Sequence, residues 1–597
     1  MKKKYLSLMA VVLMCSTTLV SCGGDSGSNN SGSFDEAANT FSVWQPYGAD
    51  SGYYSNFSDN PVVSYLTKQK TWGDDKASLK FNYSIPGTGS ESSSFNTMMA
   101  ADELTDLFVP YINGSLNLYN SGYIMDITDY VNKYMPNYLA WLDKHPAEKS
   151  NSFVNINGEK RILELYDYSD SATPWCGYSY RRDWLVKYGT NPVTGAAFTG
   201  GWSADGKTWT DDVVFPTSKT KEPIYISDWE WMFGIFTKAL KAENISDGYC
   251  TTIYYPGYLG TGDLVSSFGG GGPIWYKKDG TVYFGGTSDN FRAYLQGMNT
   301  WYKNGWIDKH FTERTSEMFY QTDTKGVTTG KVGLWYGPSA YLGGKMKNMI
   351  PDSCIYYAKD PINDIYGPDS AKNVAPFTLF QPSLTGLSLS VNSKAAGKKN
   401  LPALFNMLDY LYSDEGSMLM GLGLSKEQYE ESQDSFYTSK GLTNGAYSWV
   451  DKNGADWVEG TSTGDKLYKL DQKLIDDSSL ATAATGTRII GRKWGTSNKY
   501  WTEDPVFVES CKAYMEYKAT GWFTNAETNA ETADEAAEYS GIYSKVNEFM
   551  GKTCPTFING SKDPFNDSTW SSYCSGLNKY KPDNSTKMFQ RVVDLFK

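Results

Sequence analysis

Aromatic rings set beside polar groups are the residues in this sequence best suited to chemistry. They occur in Trp44-Gln45-Pro46-Tyr47, Trp175-Cys176-Gly177-Tyr178-Ser179-Tyr180 and Asp228-Trp229-Glu230-Trp231. They occur again in Phe268-Gly269-Gly270-Gly271-Gly272 and Trp335-Tyr336-Gly337-Pro338-Ser339-Ala340-Tyr341. A pyranose ring has one apolar face and a fringe of equatorial hydroxyls. A site for it needs flat aromatic platforms together with hydrogen-bonding Asp, Glu, Asn, Gln or Arg. The candidate ligand-binding residues are Trp44, Gln45, Tyr111, Trp175, Tyr178, Trp229, Trp231, Phe268, Trp335, Tyr336 and Tyr341. The competing reading is packing, because Phe, Trp and Tyr make up 15% of the chain. Only some of the named rings are expected to touch ligand.

Catalytic constellations fare worse. Gly460-Thr461-Ser462-Thr463-Gly464 matches GxSxG, but the flanks Asp456-Trp457-Val458-Glu459 and Asp465-Lys466 do not read as strand and helix. Both histidines, His145 and His310, precede that serine, whereas the hydrolase order puts the histidine after it. Gly551-Lys552-Thr553 looks like the end of a phosphate loop, yet Val546 stands where its first glycine is needed. Paired carboxylates for glycoside hydrolysis stay open, since their separation is invisible in sequence. Asp451, Asn453, Asp456 and Glu459 form a loose calcium-like run without the full pattern of oxygen ligands; an exposed hairpin is the plainer reading.

The N-terminus predicts location. Lys2, Lys3 and Lys4 precede an apolar run from Leu6 to Met14 that trails through Ser and Thr to Val20. The run is shorter than the ~20 apolar residues of a spanning helix and reads as a secretory signal. Leu19-Val20-Ser21-Cys22 resembles a bacterial lipobox, so the Cys22 thiol is expected to be lipidated and the chain cut just before it. An ordinary signal cut near Ser21 is the alternative. Residues 23–40 are rich in Gly, Ser and Asn and cannot bury a core. As a flexible coil they span about 25 Å, which suits a tether.

The net charge is −12, which argues against nucleic-acid binding. Beyond Cys15 and Cys22, six cysteines remain in a compartment that permits disulfides, and sequence alone cannot pair them. Cys554 with Cys574 is the one pair suggested. No CxxC spacing offers a thiolate zinc site.

These residues must be positioned by alternating elements. Residues 41–44, 79–85 and 104–109 read as strands, and 61–70, 94–101 and 127–134 as helices. Phe291, Tyr294, Leu295, Met298, Trp301 and Tyr302 give residues 290–304 a helical stripe ended by Gly305. The same spacing runs from Leu401 to Tyr412, read as one helix capped by Asn400 and ended near Gly416. Phe589, Val592, Val593 and Phe596 make a last amphipathic helix. Lys278-Asp279-Gly280-Thr281, Ala204-Asp205-Gly206-Lys207 and Lys452-Asn453-Gly454-Ala455 predict hairpins. Strand–helix alternation points to α/β lobes with mainly parallel sheets.

Seven segments in order carry a resemblance. Met98–Leu107 resembles the helix-to-strand segment "ASGdlPDii", and Gly122–Tyr130 the following "G-x-l-x-dLt". Tyr180–Leu185 resembles "yRkDWL", Tyr302–Asp308 "ykeGlId", and Gly330–Gly333 "GKvgm". Tyr410–Gly416 resembles "ylyspEG", and Trp570–Gln590 a closing helix pair. Together they resemble extracellular solute-binding protein family 1 of bacterial ABC importers, the maltose-binding-protein-like family, in its long lipoprotein subgroup. Residues 190–222 are an insertion where some long members carry a calcium loop, and no clean acidic run supports carrying that metal over. Residues 425–500 match poorly.

The resemblance implies a two-lobed periplasmic-binding-protein-like fold with a hinge and a ligand cleft between the lobes. The first crossing is placed near Ala172–Tyr180 and the second near Pro376–Leu387. The implied plan is signal 1–21, tether 22–40, first lobe 41–172, hinge and second lobe 173–380, first lobe again 381–480, and mainly second lobe 481–597. No catalysis, cofactor or metal is implied. The expected partners are an oligosaccharide and the transmembrane subunits of an ABC permease, for a monomer lipid-anchored outside the cytoplasmic membrane. An oligopeptide or other organic solute is the alternative ligand. A surface glycoside hydrolase is the alternative class.

Overall fold

In Lys80–Ser84 the side chains of Phe81 and Tyr83 turn inward while Lys80, Asn82 and Ser84 stay exposed. This period of two is that of a strand with one buried face. The computed structural model describes residues 36–46, 52–111, 114–169, 177–206, 208–253, 264–269, 275–278, 280–313, 323–337, 339–372, 384–494, 501 and 532–595. Among them, the two main sheets are built from β1 (Thr40–Trp44), β2 (Lys80–Ser84), β3 (Leu107–Phe108), β4 (Glu164–Ser169), β5 (Gly177–Arg181), β6 (Leu334–Gly337), β7 (Ile355–Ala358), β8 (Leu384–Val391) and β9 (Arg492–Lys493). The first sheet has the order β9-β4-β8-β3-β1-β2, the second the order β6-β5-β7.

The direction of each strand decides where the chain crosses. β1, β2, β3, β4 and β9 run the same way, and β8 runs against them. The carboxyl ends of five strands and the amino end of β8 therefore share one edge. From that edge β4 leads on to β5, β9 leads on to the C-terminal helices, and β8 receives the chain back from the second sheet. In the second sheet β6 and β7 both run against β5, with Gly337 opposite Gly177 and Ala358 opposite Tyr178. The edge reached first from β4 is thus also where β6 and β7 end.

Each sheet has its own apolar core. Phe41, Leu107, Leu165, Leu404, Phe405 and Leu411 belong to the first. Trp184, Trp229, Phe233, Tyr294 and Trp301 belong to the second, joined by Val546, Phe557, Trp570 and Phe589 of the C-terminal helices. Trp275 Nε1 donates to Pro582 O at 3.2 Å and to Thr586 Oγ1 at 3.0 Å, fixing the last helix (Pro582–Leu595) to the hairpin of Trp275–Lys278 and Thr281–Phe284. The first core takes in residues past 480. Leu480, Ala483, Ala484 and Ile490 pack in the first core, and Arg492 and Lys493 pair with Tyr168 and Ser169. The Lys493 ammonium also meets the buried Asp167 carboxylate.

Several family-like segments prove to be structural. Asp106 Oδ2 accepts from both Ser42 N and Ser42 Oγ at 2.8 Å and pairs with Lys398 at 3.1 Å, so it ties β1 to the base of β3. Arg181 forks onto Asp183 at 2.9 and 2.6 Å and reaches Gly330 O at 3.1 Å, joining two of the segments. The helix expected from Asn400 to Gly416 is two helices, Leu401–Tyr410 and Asp414–Leu422. Ser413 Oγ caps the second by accepting from Gly416 N at 3.0 Å. A Cβ on Gly416 would stand 1.9 Å from Tyr410 O, so only glycine permits the tight corner.

The predicted third strand shrinks to Leu107–Phe108, because Asp106 is turned to Ser42. The strands flanking the first two predicted turns pair as hairpins, and the strand Tyr447–Val450 before the third pairs mainly with the more distant Leu467–Leu470. At that turn Asp451 Oδ1 accepts from Asn453 N at 2.8 Å and Ala455 N at 3.0 Å. Among the described residues no group of three or more His, Cys, Asp or Glu could hold a metal. Cys554 and Cys574 are both free thiols, which corrects the suggested pairing. Cys554 is buried within the helix Ala533–Ile558 and Cys574 lies on Asp567–Asn578. No described helix is long and apolar enough to cross a membrane. The predicted signal, tether, lipidation site Cys22, and Cys15, Cys176 and Cys511 lie outside the described residues.

Candidate ligand-binding cleft

The shared edge of the first sheet presents the segments that leave β1, β2 and β3. In open α/β sheets ligands bind beyond the carboxyl ends of strands. After β2 comes Ile85-Pro86-Gly87-Thr88-Gly89-Ser90 and then the helix Glu91–Ala100. Thr88, Ser90, Ser92, Ser93 and Asn96 are exposed, so this rim is a hydroxyl and amide surface. Ser90 Oγ donates to Gly87 O at 2.6 Å and leaves the helix uncapped by its side chain. The Glu91 carboxylate instead accepts from Gly89 N at 3.0 Å.

Trp44, at the end of β1, is wholly buried. Its Nε1 donates to Ser94 Oγ at 3.4 Å and its ring packs on Phe95 at 5.1 Å. Phe108, Leu118 and Ile124 complete that cluster. Tyr111, beyond β3, leans edge-on against Trp44 at 6.4 Å and is 41% exposed. Here the outer ring is Tyr111, and Trp44 is the bed beneath it. Gln45 is buried, and its N–H donates to Ser84 O at 3.3 Å.

On the second sheet, Tyr178 and Tyr336 sit opposite each other on β5 and β6, rings 5.1 Å apart and edge to face. Tyr178 is buried with Trp229 at 5.1 Å on another side; Tyr336 is half-buried. Trp335, the next residue along β6, belongs to the other face of the sheet and packs with Tyr249, Val327, Leu342 and Met346. Trp229 is wholly buried and donates to Pro223 O at 3.1 Å. Trp231 lies between Phe198 at 6.2 Å and Phe215 at 5.5 Å, under the 190–222 insertion. Phe268 is buried between Tyr294 at 5.6 Å and Tyr366 at 6.1 Å. Trp44, Trp229, Trp335 and Phe268 thus present no open face, and stacking a sugar needs one. Trp175 and the side chain of Tyr341 lie outside the described residues.

The second edge also carries charge. Two residues past the end of β7 lies Asp360, whose carboxyl burial pushes up to about 7. Lys359 beside it pairs with Glu222 at 3.7 Å. Glu230 faces inward, accepting from Trp301 Nε1 at 2.7 Å and Tyr366 OH at 2.5 Å. Asp228 accepts from Thr217 N at 2.8 Å and Tyr225 N at 3.2 Å, which spends it on the start of its own helix. Ser462 of the GxSxG run accepts from Val458 N at 3.0 Å in an exposed turn. Gly551, Lys552 and Thr553 are mid-helix. The rim residues Thr88, Ser90, Glu91 and Asp360 were not singled out from the sequence. The Gly-Thr-Gly-Ser-Glu-Ser-Ser-Ser run directly after an alternating strand was the available signal.

No family model matches the chain, and no curated protein matches it. Solved structures do. An extracellular solute-binding protein from Bifidobacterium longum subsp. infantis aligns with 93% of this chain and 98% of its own, at 15% identity and a TM-score of 0.63. An HMO-binding, ABC-transporter-associated solute-binding protein from Bifidobacterium longum infantis aligns over 93% and 99%, at 14% identity and 0.61. The chain has the solute-binding-protein fold. The Streptococcus pneumoniae ABC-transporter substrate-binding protein FusA, in complex with kestose, aligns over 93% and 99% at 15% identity and 0.53. The two-lobed α/β architecture expected from the seven segments is therefore the observed one, with one correction: the first sheet is mainly parallel as expected, but the described strands of the second are antiparallel.

Proposed function

We propose that this chain is a non-enzymatic, lipid-anchored solute-binding protein that captures an oligosaccharide between its lobes and delivers it to an ABC import permease. One arrangement carries the reading: β4 ends and β8 begins at the sheet edge beyond which Tyr111 and the Thr88–Asn96 hydroxyl rim lie, and β5, the strand after β4, begins at the edge where the half-buried Tyr336 lies. A hinge beside a groove of rings and hydroxyls is built to close on a polyhydroxylated ligand. HMO-binding and kestose-bound proteins on the same fold support a carbohydrate ligand. The anchor rests on Leu19-Val20-Ser21-Cys22.

Calorimetric titration of the mature protein with oligosaccharides, with the sugar recovered and analysed afterwards, tests this. Saturable binding with intact sugar is expected. Shortened sugar would replace the reading with a hydrolase, and binding of peptides alone would replace the ligand.

A further inference from the structure

We propose that the cleft selects uncharged oligosaccharides and rejects acidic ones, those bearing uronate, sialic acid or sulfate. This rests on the carbohydrate reading above and adds the charge class of the ligand.

A carboxylate or sulfate withdrawn from water must meet a cation or several aimed donors, or its desolvation is uncompensated. On the first-lobe edge, residues 45–46, 84–97 and 109–111 contain no Lys, Arg or His, and Lys493, where β9 ends on the same edge, already meets the buried Asp167 carboxylate. The one other attraction there is the amino end of the Glu91–Ala100 helix, where free N–H groups and the helix dipole favour negative charge. Glu91 already supplies it: its carboxylate takes Gly89 N at 3.0 Å. On these described segments an anionic ligand would meet a like charge at the helix end that would otherwise attract it.

The second-lobe edge is no more receptive. Among residues 177–178, 336–337 and 358–360 the single base is Lys359, whose charge is already partnered by Glu222 at 3.7 Å, and Asp360 stands next to it. The net charge of −12 adds repulsion at a distance. Neutral hydroxyls suffer none of this, and Thr88, Ser90, Ser92, Ser93 and Asn96 can exchange hydrogen bonds with them as donors and acceptors.

The test is a carbohydrate array probed with the mature protein near 0.15 M salt. It carries neutral host, plant and fungal oligosaccharides beside matched acidic partners: sialylated against desialylated milk tetrasaccharides, and galacturonate oligomers against their methyl esters. The strongest ligands are expected to be uncharged, with each acidic partner weaker by about a hundredfold or more. An acidic glycan among the strongest ligands, or matched pairs agreeing within about tenfold, overturns the selectivity and leaves sugar capture standing. An array on which no glycan binds overturns both.

Discussion

The Asp211 carboxylate receives Arg182 Nε–H at 3.0 Å and Nη2–H at 2.6 Å, and water reaches neither side chain. The guanidinium lies over Tyr356 at 4.6 Å and near Phe215 at 5.8 Å, and it also donates to Lys221 O at 2.9 Å. The insertion is thereby clamped to the second lobe at its returning strand. Asp211→Ala strands a buried guanidinium and is expected to cost about 3–5 kcal/mol. Removing both charges, with Arg182→Met and Asp211→Leu together, is expected to cost less. Thermal unfolding of both variants checks this; an equal loss would mean that the charges are not what holds the insertion.

Trp44 and Tyr111 should separate packing from binding. Trp44→Ala removes a ring from a closed cluster and should lower stability by about 3–5 kcal/mol. Tyr111→Ala removes an exposed ring and should leave the melting temperature almost unchanged. It should weaken sugar affinity by about tenfold or more. Melting curves and calorimetry on both variants decide. A Tyr111→Ala protein with undiminished affinity would take that ring out of the site.

Two carboxyls predict opposite pH behaviour. Burial alone would push Asp211 up, but its hydrogen bonds with Arg182 outweigh that and hold it below the usual carboxylate range. Its stabilisation is complete above the unfolded value of about 3.9 and is lost as pH falls through the folded one. Asp360 is raised to about 7 by burial, so its contribution is present below about 3.9 and lost as pH rises toward 7. Asp360→Asn should therefore flatten the melting temperature between about pH 4 and pH 7. Parallel wild-type and variant profiles across that window would show that Asp360 does not titrate there.

Cys22→Ala should abolish lipid labelling and release the protein from membranes when it is expressed with its own leader. Metabolic labelling with a radioactive fatty acid, followed by fractionation, measures both. A labelled, membrane-bound Cys22→Ala protein would show the anchor to be elsewhere.

Periodicity made the elements legible. The Phe291–Trp301 stripe and the Phe81–Tyr83 alternation are local patterns, and both fold as read. Ring exposure was not legible, because what covers a ring comes from far along the chain. Trp44 is covered by Ser94 and Phe95, about 50 residues later. Tyr178 is covered by Trp229 and Tyr336. A Trp beside Gln and Pro looks the same in sequence whether or not such partners arrive. The break at Ser413 was missed for the same reason: Leu408, Leu411 and Tyr412 keep helical spacing through the corner, and all three are buried in one core.

The order β9-β4-β8-β3-β1-β2 also sets mechanical gearing. The three strands that pass the chain to the other lobe are neighbours at one side of the sheet, and the hydroxyl rim lies past β2 at the far side. Strands spaced about 4.8 Å apart put β2 about 14 Å from β8, so each ten degrees of rotation about the crossings carries the rim about 2.5 Å. Tyr111, beyond the nearer β3, travels about a third as far. In the proposed closure the sheet would act as a lever with a short inner arm and a long outer one. A ligand end held near Tyr111 would then barely move, while the Thr88–Asn96 rim would sweep down along the rest of it.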